Sequence, residues 1–310
     1  MSRSPIKTRF LILSDTHGAE LPESCFEHSV DVVLHCGDLT NSSYITEFQT
    51  TIKQLQRFKA PLKLVIAGNH DFTLDTPTFE QKIREAGLEN DSSVKKVYGD
   101  YEEVRTLFKN EQDNGIIFLD EGTHSITLPN GSILNLYASP YTPSLGDWGF
   151  QYHPERGHDF QIEEDVDIVI THSPPRGIMD YTDNGRAGCP DLFKAVAKAR
   201  PRIHCFGHIH EGWGAMIAQW RDRTVVGNEP SHFTAIDYGR SSVVTKLSRL
   251  GPETSPAVAE TSHCTDDAIP LKPDHQTLFI NAAFEASGTA DDGLSTHPIW
   301  QVDLELPCAR

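Results

Sequence analysis

The chain has 310 residues, 38% hydrophobic and 23% charged, a globular composition with enough apolar material for a sizeable core. Its formal charge of -17 argues against a nucleic-acid grip built on lysine and arginine, although bound cations can invert the field inside a local site. The six cysteines have no paired spacing, and the apolar run Phe10 to Leu13 is too short for a signal peptide or a membrane span. A reducing, cytoplasmic setting without membrane contact is therefore expected.

In chain order, residues 8–13 read as a strand running into Asp15-Thr16-His17, and residues 19–30 as irregular with room for a short helix. Asp31 to Cys36 is a buried, mostly apolar strand ending in Gly37-Asp38. Asn41-Ser42-Ser43 offers N-cap chemistry, and Ile45, Phe48, Ile52 and Leu55 recur at helical spacing. A helix over 43–58 then leads to a strand at 62–67, and that order implies parallel pairing. This third strand runs into Gly68-Asn69-His70-Asp71. Pro77 opens a helix over 77–86, and a weaker pattern predicts another over 100–110.

Two alternating runs around Pro129-Asn130-Gly131 predict a hairpin at the edge of a second sheet. Residues 138–164, rich in proline, glycine and aromatics, read as a long loop over the site. A strand at 166–171 leads into Thr171-His172-Ser173, and a helix over 190–200 precedes a strand at 203–206 that runs into Gly207-His208-Ile209-His210. A further strand starts near Trp213, and late strands are expected at 277–282 and 299–306. The Ser, Thr and Pro content of 240–275 reads as a surface insertion or a disordered loop. The sum is one α/β domain over 1–310, with two mixed sheets between layers of helices.

Five strands thus end in oxygen or imidazole donors, the place where α/β proteins present chemistry. Each motif has an ordinary reading: Asp15 and Asp38 as turn formers, Asn69 in an Asx turn, His208 and His210 as a surface pair. Together, and in this order, they point to a metal centre. A carboxylate can bridge two cations, asparagine adds a neutral oxygen, and imidazole suits transition metals. Two ions held about 3.5–4 Å apart polarise a phosphoryl group and generate a nucleophile. His35 and His204, inside strands, read as hydrogen-bonded core residues, and His153 and His158 as rim groups. Arg156, Arg176 and Arg186 are candidate substrate contacts from loops, each with an ordinary solvated alternative.

The series Asp-x-His, Gly-Asp, Gly-Asn-His-Asp, Thr-His-Ser and Gly-His-x-His resembles the calcineurin-like metallophosphoesterase superfamily. Asp147 to Phe150, Arg156-Gly157, Gly188-Cys189 and His208 to Gly214 resemble its MPPED-type branch, near the class III cyclic nucleotide phosphodiesterases. The likeness covers most of 8–238 and resumes at 276–306. It implies a four-layer αββα sandwich and two divalent cations, one held by Asp15, His17, Asp38 and His210. The other would be held by Asp38, Asn69, His172 and His208. Asp38 would bridge, and His70 would face the substrate as general acid or charge stabiliser. Asn69 and, from its loop position, Arg176 are the further substrate contacts expected.

Protein phosphatases of that superfamily carry Gly-Asp-x-Val-Asp-Arg-Gly, whereas this chain has Gly37-Asp38-Leu39-Thr40-Asn41-Ser42-Ser43. The missing acid and arginine count against protein phosphatase activity, while the resemblance to the MPPED-type branch implies a small phosphodiester, a cyclic nucleotide or a similar compound, with Trp148, Phe150 and Trp213 either walling a base or packing the loops. A broad phosphomonoesterase and a metal-binding scaffold with little turnover are the other readings. Mn, Fe, Zn and Mg all suit such mixed ligands, with Mn the ion expected to serve in vitro.

Overall fold

The computed structural model describes residues 4–226, 229–251, 255–286 and 295–309. Its first strands are β1 (Ile6–Leu13), β2 (Val32–Cys36), β3 (Leu62–Ile66) and β4 (Ile116–Phe118). They are followed by β5 (Gly122–Thr127), β6 (Ile133–Ser139), β7 (Ile168–Thr171), β8 (Ile203–Phe206) and β9 (Gly214–Gln219). The last four are β10 (Ser242–Lys246), β11 (Val258–Ser262), β12 (Gln276–Asn281) and β13 (Ile299–Leu306). One sheet has the order β11-β13-β1-β2-β3-β4 and the other β10-β9-β12-β8-β7-β6-β5.

Side-chain alternation along each strand builds the layers. Phe10, Ile12, Val32, Leu34, Ile168, Ile170, Ile203 and Ile280 point between the sheets. Leu11, Leu13, Val33 and Val65 point outward, where they pack beneath α1 (Ile45–Arg57) with Phe48, Ile52 and Leu55. On the far face, Val169, Phe206 and Phe279 meet Leu192, Phe193 and Val196 of the helix Pro190–Ala199. Helix, sheet, sheet and helix form the expected αββα sandwich. Parallel pairing of β1, β2 and β3 agrees with the βαβ reading, and β5 is the edge strand of its sheet. Among the described residues, no helix is long and apolar enough to cross a membrane.

The structure departs from the sequence reading, or adds to it, at four places. Residues 240–275 are not a disordered loop where described, because β10 pairs with β9 and β11 pairs with β13. Each closes the outer edge of one sheet, and Cys264 and Leu271 between β11 and β12 are buried. An edge strand has one paired flank and one open flank, so its sequence can be polar. Residues 252–254 of that stretch lie outside the described residues. The start of α1 is closed by Glu47 instead of Asn41-Ser42-Ser43: its carboxylate accepts from the backbone N–H groups of Asn41, Ser42 and Tyr44 at 2.8–3.1 Å. The Ser43 hydroxyl is engaged with Thr73 at 2.8 Å. An unpredicted helix spans Ser92–Tyr98, and the loop 138–164 contains a short parallel pair, Thr142–Pro143 with Gln151–Tyr152.

Candidate metal centre

The motif-bearing ends of β1, β2 and β3 stand side by side in one sheet and face those of β7 and β8 in the other. The chain must turn sharply at each end. Asp15 (φ 52°), His17 (46°), Asp38 (51°) and His208 (66°) all adopt left-handed backbone. That conformation costs a non-glycine residue roughly 1–3 kcal/mol and persists only where surroundings enforce it. Here the enforcing bonds are Asp15 N–H to Gly37 O at 2.9 Å and His17 N–H to Asp38 O at 3.1 Å. Two glycines leave room for the carboxylates: a Cβ on Gly68 would collide with Asp38, and one on Gly207 with Asp15.

The structure brings all seven predicted ligands together. Donor atoms of Asp15, His17 and His210 lie within 4.8 Å of one another, as do those of Asp38, His172 and His208. Asp38 touches both groups, with Oδ2 3.8 Å from His17 Nε2 and 3.2 Å from His172 Nε2. Asn69 Oδ1 is 3.1 Å from His172 Nε2, and His210 Nε2 is 3.3 Å from Asp15 Oδ1. His70 joins His17 and Asp38 in a third such group, its N–H donating to Asp38 Oδ1 at 2.8 Å.

Three imidazoles are oriented alike. Nδ1 of His17 sits 3.2 Å from Thr40 O, that of His172 3.0 Å from Cys36 O, and that of His70 2.7 Å from Asn41 O. Donation from Nδ1 to a carbonyl leaves Nε2 to face the centre, the usual arrangement of a metal-ligating histidine. His17 Nε2 is buried and has no hydrogen-bond partner among the described residues. Such an atom, directed at carboxylates, fits a cation.

Charge explains the rest. Burial opposes the ionised form of Asp38, but the charge and hydrogen bond of His172 outweigh it and hold the carboxyl at about 2. Burial likewise opposes a charged His172, and Asp38 overrides it, raising the imidazole to about 9. Burial, reinforced by His172, lowers His208 to about 4. Beneath the centre, burial followed by the Asp38 charge pushes Asp71 up to about 7. It accepts from the N–H groups of Gly68, Leu39 and Thr40 at 2.8–3.0 Å and so ties the turn after β2 to the turn after β3.

His35 and His204 are the buried, hydrogen-bonded residues expected of them. His35 Nε2 meets Thr16 Oγ1 at 3.0 Å, and His204 Nε2 meets Thr171 Oγ1 at 2.9 Å. Each supports a ligand-bearing turn on the neighbouring strand. The predicted rim is less uniform. Trp148 is 38% exposed and its ring centroid is 4.3 Å from that of His70. Phe150 is buried in the α1-side core, and Trp213 is stacked on Trp300 between the sheets, so neither walls a base. Arg176 is exposed and donates to Arg186 O at 3.4 Å, while Arg186 pairs with Asp180 at 2.5 Å; these bonds do not reach the ligand cluster. Arg156 and His153 are exposed, and His158 pairs with Glu121 at 2.7 Å between Tyr141 and Tyr152.

Sequence reasoning missed Glu285, whose Oε2 lies 3.5 Å from His17 Nε2, nearer than Asp38. No motif surrounds it, so its position after β12 was the one available signal.

Residues 8–212 match the model of a family described as calcineurin-like phosphoesterase. Metallophosphoesterase domain-containing protein 1 of Homo sapiens is 34% identical over 222 residues, covering 69% of this chain and 64% of its own; its Mus musculus counterpart gives the same figures. A Caenorhabditis elegans protein of the UPF0046 group is 32% identical over 221 residues, covering 68% of this chain and 53% of its own. The chain thus spans less than two thirds of the length of these relatives.

Proposed function

The chain belongs to the calcineurin-like phosphoesterase family, and from that premise we propose that it hydrolyses small phosphodiesters, cyclic nucleotides among them, with two divalent cations. The observation that carries the reading is the pair of ligand groups sharing the Asp38 carboxylate. Asp15, His17, Asp38 and His210 would hold one cation, and Asp38, Asn69, His172 and His208 the other. Divalent cations there supply Lewis acidity toward phosphoryl oxygens and a nucleophile at neutral pH.

The protein's own groups do the rest. The loop 39–43 brings no arginine to clamp a dianionic monoester, which supports a singly charged diester. His70, anchored through Nδ1 to Asn41 O, keeps Nε2 free to meet charge on the phosphoryl group or to give a proton to the leaving oxygen. Trp148, alongside, offers a flat apolar face to a base.

The test is initial rates with Mn²⁺ on a chromogenic phosphodiester and the matching monoester at equal concentration. Diester turnover that exceeds monoester turnover and is abolished by a chelator is the expected result. Monoester preference moves the protein to the phosphomonoesterases. Two bound cations with turnover of neither ester points to a scaffold. Asp38→Ala should lose tight binding of both cations, as read by metal stoichiometry.

A further inference from the structure

Glu285 follows β12 and is fixed by its backbone: its N–H donates to Asp15 O at 3.2 Å, and the preceding Phe284 N–H donates to Ser14 O at 2.8 Å. Glu285 and Thr296 also form an isolated antiparallel bridge. The carboxylate is thereby delivered to the end of β1, where its Oε2 lies 3.5 Å from His17 Nε2. That nitrogen belongs to a side chain only 8% exposed and has no hydrogen-bond partner among the described residues. Donors sharing one cation at bond lengths near ~2.1 Å stand roughly 3–3.5 Å apart, so the spacing suits two ligands of one ion.

We propose that Glu285 is an additional carboxylate of the cation position formed by Asp15, His17 and His210. The inference rests on the two-cation reading above. It makes the two positions unequal. One has three carboxylates (Asp15, Asp38, Glu285) and two imidazoles, and the other has Asp38, the Asn69 amide and two imidazoles. Carboxylate-rich sites suit Mn²⁺ and Mg²⁺, while imidazole-rich sites suit Zn²⁺ and iron. The Glu285 position is therefore the one that selects Mn²⁺ or Mg²⁺. Half exposure of the Glu285 side chain (49%) leaves it free to close on the ion without disturbing the core.

Calorimetric titration of the metal-free chain with MnCl₂ tests this, comparing the unaltered protein with Glu285→Gln and Glu285→Asp. Two Mn²⁺ per chain are expected for the unaltered protein. Glu285→Gln should weaken one of the two affinities by roughly tenfold or more and leave the other in place. Glu285→Asp should recover part of the loss, and the metal-free unfolding temperature should be the same in all three. Unchanged Mn²⁺ affinities in Glu285→Gln overturn the proposal, as does equal weakening of both. The readout is binding, so a chain that takes up two Mn²⁺ unequally but hydrolyses neither ester refutes the proposed activity and not this inference. Active diester hydrolysis, with Glu285→Gln binding Mn²⁺ normally, does the reverse.

Discussion

His204 and its Thr171 partner are buried between strands, and burial alone lowers the imidazole from the usual 6.5 to about 3. The unfolded chain takes up this proton below about pH 6.5, and the folded chain does not until about pH 3. The unfolded state therefore binds more protons across that window, so stability is complete above it and falls as pH drops through it. The slope is about 1.4 kcal/mol per pH unit for one such group. Urea unfolding of the metal-free protein from pH 7 to pH 4 should show a shallower decline for His204→Gln, which cannot titrate; an identical slope would refute the assignment. Gly207→Ala acts by sterics. Its methyl group runs into the Asp15 carboxylate, which His208 N–H and His210 hold in place, so stability should fall by roughly 1–3 kcal/mol and Mn²⁺ stoichiometry should drop. Trp148→Ala should raise KM about fivefold or more for a cyclic nucleotide, the effect of losing roughly 1 kcal/mol or more of stacking, and leave KM for an aliphatic diester unchanged.

Among the helices, α1 is coupled to the site through Glu47. Its carboxylate closes the loop 41–44, the same loop whose Asn41 carbonyl orients His70. Glu47→Ala should cost about 1 kcal/mol in chemical denaturation, the usual value of a lost cap, and should lower kcat by releasing His70. Elements with a strong local period were legible in the sequence: α1 from its apolar spacing, and the β5–β6 hairpin from its Asn-Gly turn. The helix Ser92–Tyr98 was not, because it buries one residue, Val94, and so has almost no apolar stripe. The edge strands β10 and β11 were missed for the related reason that hydrogen bonding to a neighbour, not an apolar face, defines them.

Over the whole molecule, the two sheets depend on strands far apart in sequence. β12 lies between β8 and β9, and β13 lies between β1 and β11, although both come after the segment that matches the family model. A chain ending at residue 275 should therefore lack a cooperative thermal transition and near-ultraviolet dichroism, whereas cooperative unfolding would show that these strands are dispensable. The strand-end motifs, the ligand types and the layered class could be read from sequence because a strand, its turn and their side chains are contiguous. The tertiary structure alone decided that two sheets bring their ends face to face, that His35 and His204 support turns on neighbouring strands, and that Phe150 and Trp213 are buried. It also singled out Glu285 from the 44 acidic residues of the chain. Those outcomes depend on contacts between residues up to hundreds of positions apart, and local periodicity carries no information about which distant partners packing will bring together.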